Sequence, residues 1–534
     1  MSTPTVRSAG PREWGGLAVL ALPTVLLGLD VTVLYLALPS LAEDLRPSGT
    51  QELWIMDAYG FLIAGFLITM GTLGDRIGRR RLLMIGAAAF GAVSVLAAYS
   101  DSAGTLIAAR AALGIAGATL MPSTLALISN MFADQRQRSL AIGIWATSFA
   151  LGMALGPVVG GALLARFWWG SAFLLAVPVA LVLLVAAPLL IPEYRAPRAG
   201  RFDLLSVGLS LVAILPLVYA VKRVADDGLR APTVLAAVVG LVFATLFVRR
   251  QGTLASPLLD VRLFTDRTFS AALSVLLLGL VGVGGAMLLI TQQLQFVADL
   301  PPVEAGLWMG PPALMMFLAA IGAPLLARRV PPGMVVAGTL ALSTVGYLLL
   351  ARVDATGGTT PIVIGFGLVY LGLGAIASLG TDLVVGAAPP EKAGSASALS
   401  ETVQELGLAL GVATLGSLAT AVYRDRVADT IPATAPAEAA RAAGDSLAGA
   451  TSSADRLPAG WLDQAKEAAT AGLNVAMLVA SASTLVLALL SAVVLRHVGT
   501  IGGAREEAEE PVPAGERAPS APAPGGERAG TPPR

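Results

Sequence analysis

Long apolar runs, separated by short polar segments, make up most of the chain. A transmembrane helix needs about 20 mostly apolar residues, and about fourteen runs approach or exceed that length. Membrane β-strands would instead alternate polar and apolar residues over about ten positions. The pattern predicts an all-α, polytopic membrane protein with about fourteen transmembrane helices, whose apolar runs begin near Leu17, Trp54, Leu82, Thr105, Leu140, Ser171, Leu204, Thr233, Phe269, Ala305, Met334, Pro361, Ala396 and Ala471.

The composition agrees with a membrane protein. Of the 534 residues, 55% are hydrophobic and 13% are charged, whereas a soluble domain carries about a quarter charged residues. The sequence has no cysteine, a single histidine (His497) and no Walker-type phosphate-binding segment. We therefore expect neither a metal nor another cofactor, and a membrane enzyme or an ATP-driven pump is disfavoured.

The distribution of positive charge predicts the orientation, because short cytoplasmic loops are enriched in Lys and Arg. Junctions on one side of the spans hold clusters of arginine, at 76–81, 136–138 and 195–201, whereas loops on the other side hold isolated cations such as Arg46 and Arg166. Both termini are therefore predicted to be cytoplasmic, in a multi-pass protein of the cell membrane.

A weak internal repeat predicts the domain organisation. Residues 71–81 (GTLGDRIGRRR) follow the second run, and residues 322–329 (GAPLLARR) follow the tenth. Duplicated halves are common in secondary transporters. The expected layout is 1–13 as a cytoplasmic N-terminus, 14–192 as a six-helix bundle, 193–268 as two inserted helices with linkers, 269–498 as a second six-helix bundle with an outer loop at 423–470, and 499–534 as a disordered cytoplasmic tail. Within the outer loop, 435–450 and 461–469 are expected to form a short helical hairpin.

The first of these repeated loops resembles the loop signature of the major facilitator superfamily. Its glycines permit a tight turn, and Asp75 is placed to cap the third helix. The resemblance implies that the loop stabilises one state of an alternating-access transporter, with its arginines joining the two halves at the inner face. The residues expected to act there are Gly71, Gly74, Asp75, Arg76, Gly78, Arg79 and Arg80.

Three further segments resemble signatures of the fourteen-helix drug:proton antiporter branch of that superfamily. They are 29–39 (LDVTVLYLALP), 110–114 (RAALG, with Leu113 in place of a glutamine) and 152–161 (GMALGPVVGG). Taken alone, closely spaced glycines are ordinary for helix packing, and Pro157 bends a helix. Together with the other segments they point to antiporter residues, namely Gly152, Gly156, Pro157, Gly160 and Gly161.

The finer resemblance is to multidrug pumps for quaternary ammonium compounds, dyes and some fluoroquinolones. The segments that carry it are 54–59 (WIMDAY), 381–383 (TDL) and 394–407 (GSASALSETVQELG). The resemblance implies proton-coupled export of lipophilic cations, driven by the proton gradient and without a cofactor. The expected working unit is a monomer, and no nucleic acid is expected as a partner.

Ionisable residues inside the predicted spans need a specific reason, because each costs about 2.5–3.5 kcal/mol even on the mildest scale. Asp30 and Arg110 form either a structural ion pair or a proton site that the arginine tunes. Glu401 and Glu405, four residues apart, share one helix face and repel each other, unless both are hydrated near the inner interface. Residues predicted to handle protons and cationic substrate are Asp30, Asp57, Arg110, Glu401 and Glu405, with Asp382 nearer an inner end as a weaker candidate.

Aromatic and amide side chains near these positions are candidates for a pocket that accepts flat cations. Such residues more often face lipid or serve packing, so both interpretations stay open. Candidates of this kind are Tyr59, Trp145 and Gln292.

The expected function is proton-coupled export of lipophilic, mainly cationic, drugs, with protons, small molecules and the lipid bilayer as the partners. One alternative keeps the fold and makes the cargo an endogenous natural product or antibiotic. Another is a proton-driven nutrient symporter, which the 152–161 segment and the acidic face at 401–405 disfavour.

Overall fold

The computed structural model of the chain describes residues 8–47, 49–164, 166–195, 203–227, 230–254, 257, 259–389, 392–428, 430–431, 435–458, 460–496 and 498–500. Within these ranges every regular element is helical, which confirms the predicted all-α class. The predicted disordered tail, from position 501 onward, lies outside the described residues. The side-chain environments of Asp57, Pro157 and Gly161 also lie outside the description.

The described part of the chain forms twenty α-helices, because a backbone inside a bilayer must satisfy its hydrogen bonds internally. Short π-helical turns follow three of these helices, at Gln293–Val297, Ile376–Gly380 and Val412–Gly416. The helices are α1 Pro11–Leu45, α2 Gly49–Ile77, α3 Arg79–Ala98, α4 Ala103–Met131, α5 Gln135–Leu164, α6 Ser171–Leu174, α7 Ala176–Leu190, α8 Leu204–Asp227, α9 Ala231–Thr253, α10 Arg267–Gln292, α11 Pro302–Trp308, α12 Gly310–Leu326, α13 Pro332–Leu350, α14 Thr360–Ala375, α15 Thr381–Ala387, α16 Ala393–Gly411, α17 Ser417–Ala428, α18 Ala437–Asp445, α19 Leu447–Ser452 and α20 Trp461–Val494.

Twelve helical segments of the described part are long and apolar enough to cross a membrane. Of the two remaining apolar runs, one forms α8. Its apolar part, Leu204–Ala220, is shorter than each of the twelve segments. The other forms α5, a helix of 30 residues that is not among the twelve. The chain is therefore a multi-pass membrane protein, and the count of fourteen spans stays a prediction.

The three largest apolar cores among the described residues organise the helices. We call α1–α7 the first bundle and α10–α20 the second bundle. The core of the first bundle extends from Leu17 to Ile191 and also contains Val385 and Ala393 of the second bundle. Two further cores lie largely within the second bundle. The two bundles thus share apolar packing around Val385, while their assignment to repeated halves stays a prediction.

Helices α8 and α9 form an antiparallel hairpin that packs on α2. Gly240 of α9 lies against Leu217 of α8, and Gly65 of α2 lies against Leu215. At one end of the hairpin, Nη2 of Arg250 donates to Oδ2 of Asp203 at 2.8 Å. Burial alone would raise the pKa of the Asp203 carboxyl, but hydrogen bonds from Ser206 and Arg250 outweigh it, and the pKa falls below its ordinary value.

The segment between α17 and α20 is only partly what the sequence predicts. Helices α18 and α19 form within 435–450, as expected. The second predicted element, 461–469, is not a separate helix, because the helix that begins at Trp461 continues without a break to Val494 as α20. Tyr423 donates to the Ala443 carbonyl at 2.7 Å and thereby fixes α18 on the end of α17.

Candidate functional site

Asp30 of α1 and Arg110 of α4 form a buried ion pair. Nη1 of Arg110 lies 2.6 Å from Oδ2 of Asp30, and Nε donates to the Ile55 carbonyl of α2 at 3.1 Å. The Arg110 side chain is 2% exposed and that of Asp30 is 12% exposed. Removing one partner of such a pair typically costs about 3–5 kcal/mol, because it leaves an uncompensated charge. The sequence-predicted pairing is therefore present, and it joins three helices.

Tyr59 of α2 lies directly against this ion pair. The Arg110 guanidinium carbon is 4.5 Å from the centre of the Tyr59 ring, within the range of a cation–π interaction. The Tyr59 hydroxyl is buried and has no hydrogen-bond partner among the described residues. A Cβ added at Gly114, one turn beyond Arg110, would lie 2.5 Å from the Tyr59 carbonyl oxygen. Glycine at 114 therefore lets α2 approach α4 closely enough for the ring to cover the guanidinium.

The glycine-rich part of α5 packs on α1 beside Asp30. A Cβ at Gly152 would lie 2.1 Å from the Val25 carbonyl oxygen and 3.0 Å from the Leu29 nitrogen. Gly28 of α1 makes the reciprocal approach, because its Cβ would lie 2.2 Å from the Phe149 carbonyl oxygen. Gly156 and Gly160 are buried farther along α5. This close crossing, predicted for glycines at such spacing, fixes the depth at which α1 presents Asp30.

Glu401 and Glu405 lie on α16 of the second bundle. Glu401 is 4% exposed, and its Oε1 has no hydrogen-bond partner in the described part of the chain. Glu405 is half-buried and lies one turn farther along the same helix face. The structure thus brings Asp30, Arg110 and Tyr59 together, and α16, which carries both glutamates, packs against α2 and α4.

Three other candidates differ in their surroundings. Trp145 is buried within the first bundle, where its indole N–H donates to Oγ1 of Thr124 at 3.0 Å. Gln292 is exposed at the end of α10, whereas its neighbour Gln293 is buried and donates to Thr470. The side chain of Asp57 lies outside the described part. Trp145 therefore has the contacts of a packing residue, and Gln292 has the exposure that a cavity residue needs.

The loop at 71–81 turns sharply between α2 and α3. Gly78 has a φ of 114°, a conformation that favours glycine. Arg79, which is fully buried, donates from Nε and Nη2 to Oδ1 of Asp75, at 2.9 Å and 2.5 Å. Gly71 and Gly74 are buried within α2. The aspartate and the buried arginine therefore fix the turn from inside.

The N-terminus of α3 is capped by Glu193 and not, as the sequence suggested, by Asp75. The Glu193 carboxylate accepts the backbone N–H of Arg80 at 3.0 Å and that of Arg81 at 3.2 Å. Its charge also lies 3.8 Å from Nε of Arg80. Asp75 is unavailable because its Oδ1 is already bonded to Arg79.

Two contacts connect the bundles at the end of the molecule that carries this loop, which we call the basic end. Nε of Arg138, in α5, donates to Oδ1 of Asp382, in α15, at 2.8 Å. Ser139 donates to the other oxygen of the same carboxylate. Asp75 in turn accepts the backbone N–H of Ser395, in α16. Asp382 is thus an interbundle contact. The arginine that holds it is Arg138 of α5 and not an arginine of the 71–81 loop, which the resemblance implies for this role.

Residues 20–412 match the sequence model of the Major Facilitator Superfamily. The chain belongs to the major facilitator superfamily. It is therefore a membrane transporter rather than an enzyme. Among the described residues, no group of three or more His, Cys, Asp or Glu side chains is arranged to hold a metal ion.

Several curated members of the superfamily are similar to the chain over nearly their whole length. The multidrug efflux pump LfrA of Mycolicibacterium smegmatis is 44% identical, over 93% of this chain and 99% of its own. The methyl viologen resistance protein SmvA of Salmonella typhimurium is 35% identical, over 90% and 97%. The tetracenomycin C resistance and export protein of Streptomyces glaucescens is 32% identical, over 90% and 91%.

A solved superfamily structure has the same fold. The human organic anion transporter MFSD10 (TETRAN) superposes with a TM-score of 0.60 and covers 90% of this chain and 100% of its own. The sequence identity is 16%, so the likeness concerns the fold alone.

Three residues that make contacts at the basic end were not predicted as functional from the sequence. The sequence predicts Arg138 only as a cation of a cytoplasmic junction, and it indicates no role for Ser139 or Glu193. Their partners are distant in sequence, by 244 residues for Arg138 and by 113 for the Glu193–Arg80 contact. The sequence does contain a signal for Glu193. It is an acidic residue directly after a predicted span, in a segment otherwise rich in arginine, which indicates a specific contact.

Proposed function

We propose that the protein exports structurally diverse lipophilic, mainly cationic, drugs across the cytoplasmic membrane in exchange for protons. The expected substrates are quaternary ammonium compounds, cationic dyes and some antibiotics. The observation that carries the proposal is the buried ion pair of Asp30 and Arg110 against Tyr59, with α16, the helix of the buried Glu401, packed on α2 and α4.

Buried carboxylates suit such an exchange because a proton and an organic cation neutralise the same negative charge. An ionised carboxylate in a low-dielectric interior is costly unless it is paired. Glu401 is buried with one oxygen free of hydrogen bonds to described residues, and Glu405 repels it. Either a proton or a lipophilic cation relieves that repulsion, so the two ligands compete. By linkage, a proton lowers drug affinity by the same factor by which the drug lowers proton affinity.

Alternating access between the two bundles would expose this group of residues to one side at a time. The Arg138–Asp382 and Asp75–Ser395 contacts hold the bundles together at the basic end. We propose that their separation opens the inward-facing state.

The membrane potential opposes the exit of a cation by about 2.3 kcal/mol per charge at about 100 mV. Exchange of one proton for one monovalent cation is electroneutral and is driven by the pH gradient alone, whereas entry of more than one proton per cation also draws on the potential.

The orientation and the organisation are part of the same proposal. The arginines of the 71–81 loop, together with Arg138 and Arg250, lie on the side that the positive-inside rule assigns to the cytoplasm. Both termini would then be cytoplasmic, with six-helix bundles at 14–192 and 269–498, the α8–α9 pair between them, and a monomer as the working unit.

Relatives support the drug class. One similar protein is named as a multidrug efflux pump and another as a methyl viologen resistance protein. Methyl viologen is a flat organic dication, the kind of molecule that carboxylates and an aromatic ring bind together.

The proposal is tested by reconstituting the protein in liposomes and following ethidium efflux under an imposed pH gradient. Transport should require the gradient and should fall at least about tenfold in Asp30→Asn and Glu401→Gln. Asp203→Asn, which removes a carboxylate outside the spans, is the matched control and should transport normally. Equal efflux with and without the gradient would rule out antiport.

A second candidate cargo is an endogenous natural product. Tetracenomycin C, puromycin and actinorhodin appear in the names of similar Streptomyces proteins that confer resistance to or transport these compounds. A competition series in the same liposomes distinguishes the two: neutral or anionic aromatic antibiotics would block ethidium efflux only if the site also accepts such cargo.

A further inference from the structure

A small cavity lies inside the first bundle, between α1, α3 and the pair of α6 and α7. Its volume is about 10 Å³, which is space for about one water molecule. Asp30 is the lining residue that has a polar side chain, and the rest of the wall is apolar, with Leu26 and Leu34 of α1, Phe90 of α3, Phe173 of α6 and Ala176 of α7. The cavity is therefore separate from the interface between the bundles, where α16 packs on α2 and α4.

Asp30 has one carboxylate oxygen that Arg110 does not use. Oδ2 accepts from Nη1 of Arg110 at 2.6 Å, whereas Oδ1 accepts no hydrogen bond from the described residues. Arg110 is the charged side chain that the described helices around α1 place against Asp30. Helix α5 meets α1 there through Gly152, and α3, α6 and α7 present the apolar wall of the cavity. Oδ1 is therefore the oxygen at which Asp30 can exchange a proton without displacing the guanidinium.

The helix across the cavity from Asp30 is interrupted. Helix α6 ends at Leu174 and α7 begins at Ala176, because Pro178 has no N–H to donate to the Leu174 carbonyl four residues earlier. At the start of the same turn, Oγ of Ser171 is buried and has no hydrogen-bond partner among the described residues. Polar groups of this kind in an apolar interior are normally bonded, often by an ordered water. The interrupted turn thus offers the polar contacts that a water beside Asp30 needs.

Aromatic side chains close the cavity toward the end of the bundle opposite the basic end. Phe173, which lines the cavity, stands edge to face with Trp169, with 6.4 Å between the ring centres. Trp169 is buried, and its indole N–H donates to Oδ2 of Asp44 at 2.8 Å. Asp44 is exposed near the end of α1. A continuous series of contacts therefore leads from an exposed carboxylate, past two aromatic rings, to the cavity and Asp30.

We propose that Asp30 exchanges its proton with the outer solution through this cavity, and not through the drug site between the bundles. A water in the cavity receives a proton from the outer side when Phe173 and Trp169 move apart. One O–H bond of the protonated water then breaks as an O–H bond forms on Oδ1 of Asp30, and a neutral water remains. The neutral carboxyl no longer holds Arg110 as an ion pair.

The inference rests on the proposed function and deepens it, because it names the route that the protons take. Two separate routes let a proton reach Asp30 while a drug still occupies the site between the bundles. Proton entry can then drive the release of the drug instead of waiting for it. The two aromatic rings control the rate of that entry from inside a single bundle.

The experiment follows ethidium transport by the full-length protein in liposomes while the pH at its outer face is varied. Two variants fill the cavity from either side of the interrupted turn, Ala172→Leu and Ala176→Leu. In both, the proton concentration for half-maximal transport should rise at least about fivefold, because protons reach Asp30 more slowly. The rate at saturating proton concentration and the half-saturating ethidium concentration should stay within about twofold of the wild type.

The matched control is Val185→Phe, which enlarges a side chain of α7 that is 68% exposed on the outside of the bundle. It should leave both half-saturating concentrations unchanged. Ethidium binding in detergent checks that each filled variant is folded, and loss of binding in both would show that the cavity is not separate from the drug site, which overturns the inference.

Two further results would also overturn it while leaving proton-coupled export standing. One is normal ethidium binding together with the proton dependence of the wild type in both filled variants. The other is a loss of transport that persists at saturating proton concentration, because filling would then have distorted the Asp30 site itself. If transport by the wild type does not depend on the pH gradient, the proposed function fails and the inference fails with it.

Discussion

Arg138 and Asp382 are 244 residues apart in sequence, yet Nε of the arginine lies 2.8 Å from Oδ1 of the aspartate. The Asp382 side chain is 3% exposed and that of Arg138 is 21% exposed, so the pair is largely shielded from water. Each residue belongs to a different bundle. The contact can therefore form only while the bundles lie together at the basic end. At the same end, Asp75 contacts Ser395 at the start of α16.

We expect Asp382→Asn to open the basic end more often. The chain has no native cysteine, so a single cysteine at Val385, which is buried in the core of the first bundle, can report the opening. A polar maleimide should label Val385→Cys slowly, and about tenfold faster when Asp382→Asn is added, since about 1.4 kcal/mol of lost contact changes an equilibrium tenfold.

The control for this experiment is Lys466→Gln, which breaks a different ion pair, to Asp299, within the second bundle. It should leave the labelling rate as it was. An unchanged rate in Asp382→Asn would show that this ion pair does not hold the basic end closed.

Glu193→Ala should lower the stability of the protein by about 1–2 kcal/mol. The substitution leaves the backbone N–H groups of Arg80 and Arg81 without their acceptor and removes a negative charge from a helix N-terminus. The measurement is the midpoint of thermal unfolding in detergent. Glu438→Ala, which removes an exposed carboxylate 3.8 Å from Arg456, should not change the midpoint. Equal midpoints for Glu193→Ala and the wild type would contradict the capping role.

Features that depend on local sequence were predictable. The apolar runs predict the helices, since their length and polarity alone decide whether a bilayer can accommodate them. The charges inside spans predict Asp30 and Arg110 as partners, because a membrane interior leaves an isolated charge few alternatives. The closely spaced glycines at 152–161 predict a close helix crossing, and Gly152 makes one with α1.

Features that depend on distant parts of the chain were not predictable in the same way. Nothing near Glu193 in the sequence shows that it reaches the start of α3, and Asp75 looked like the better cap because it is adjacent. The boundary of α20 was also misplaced, because Trp461–Ala469 is polar enough to be taken for an outer segment, although helical hydrogen bonding continues through it. Outside the membrane interior, where many partners are available, partner choice and helix ends are decided by tertiary contacts that composition does not record.

Gly114→Ala should impair transport without preventing membrane insertion. The added Cβ would lie 2.5 Å from the Tyr59 carbonyl oxygen, which is backbone, so α2 has to move away from α4. Overpacking of this kind typically costs about 1–3 kcal/mol, and the shift would carry the Tyr59 ring off Arg110. We expect ethidium efflux to fall about tenfold at equal protein level.

Gly104→Ala is the matched control for this substitution, because Gly104 lies on the same helix and a Cβ there would meet nothing within 4 Å. It should transport like the wild type. Equal loss in both variants would mean that α4 tolerates no added methyl group anywhere, and the crossing with α2 would have no special role.

Arg110→Lys should abolish most transport even though it keeps the positive charge. The guanidinium donates from Nη1 to Asp30 and from Nε to the Ile55 carbonyl at the same time, and it presents a flat face to Tyr59. A lysine ammonium is a compact charge on a flexible stem and does not reproduce that planar arrangement. Ethidium efflux in liposomes should therefore fall at least about tenfold.

The control is Arg250→Lys, which alters the arginine of an ion pair in the α8–α9 hairpin and should retain efflux. If Arg110→Lys pumped as well as the wild type, a positive charge beside Asp30 would be sufficient, and the geometry that joins α1, α2 and α4 would not be what makes the exchange work.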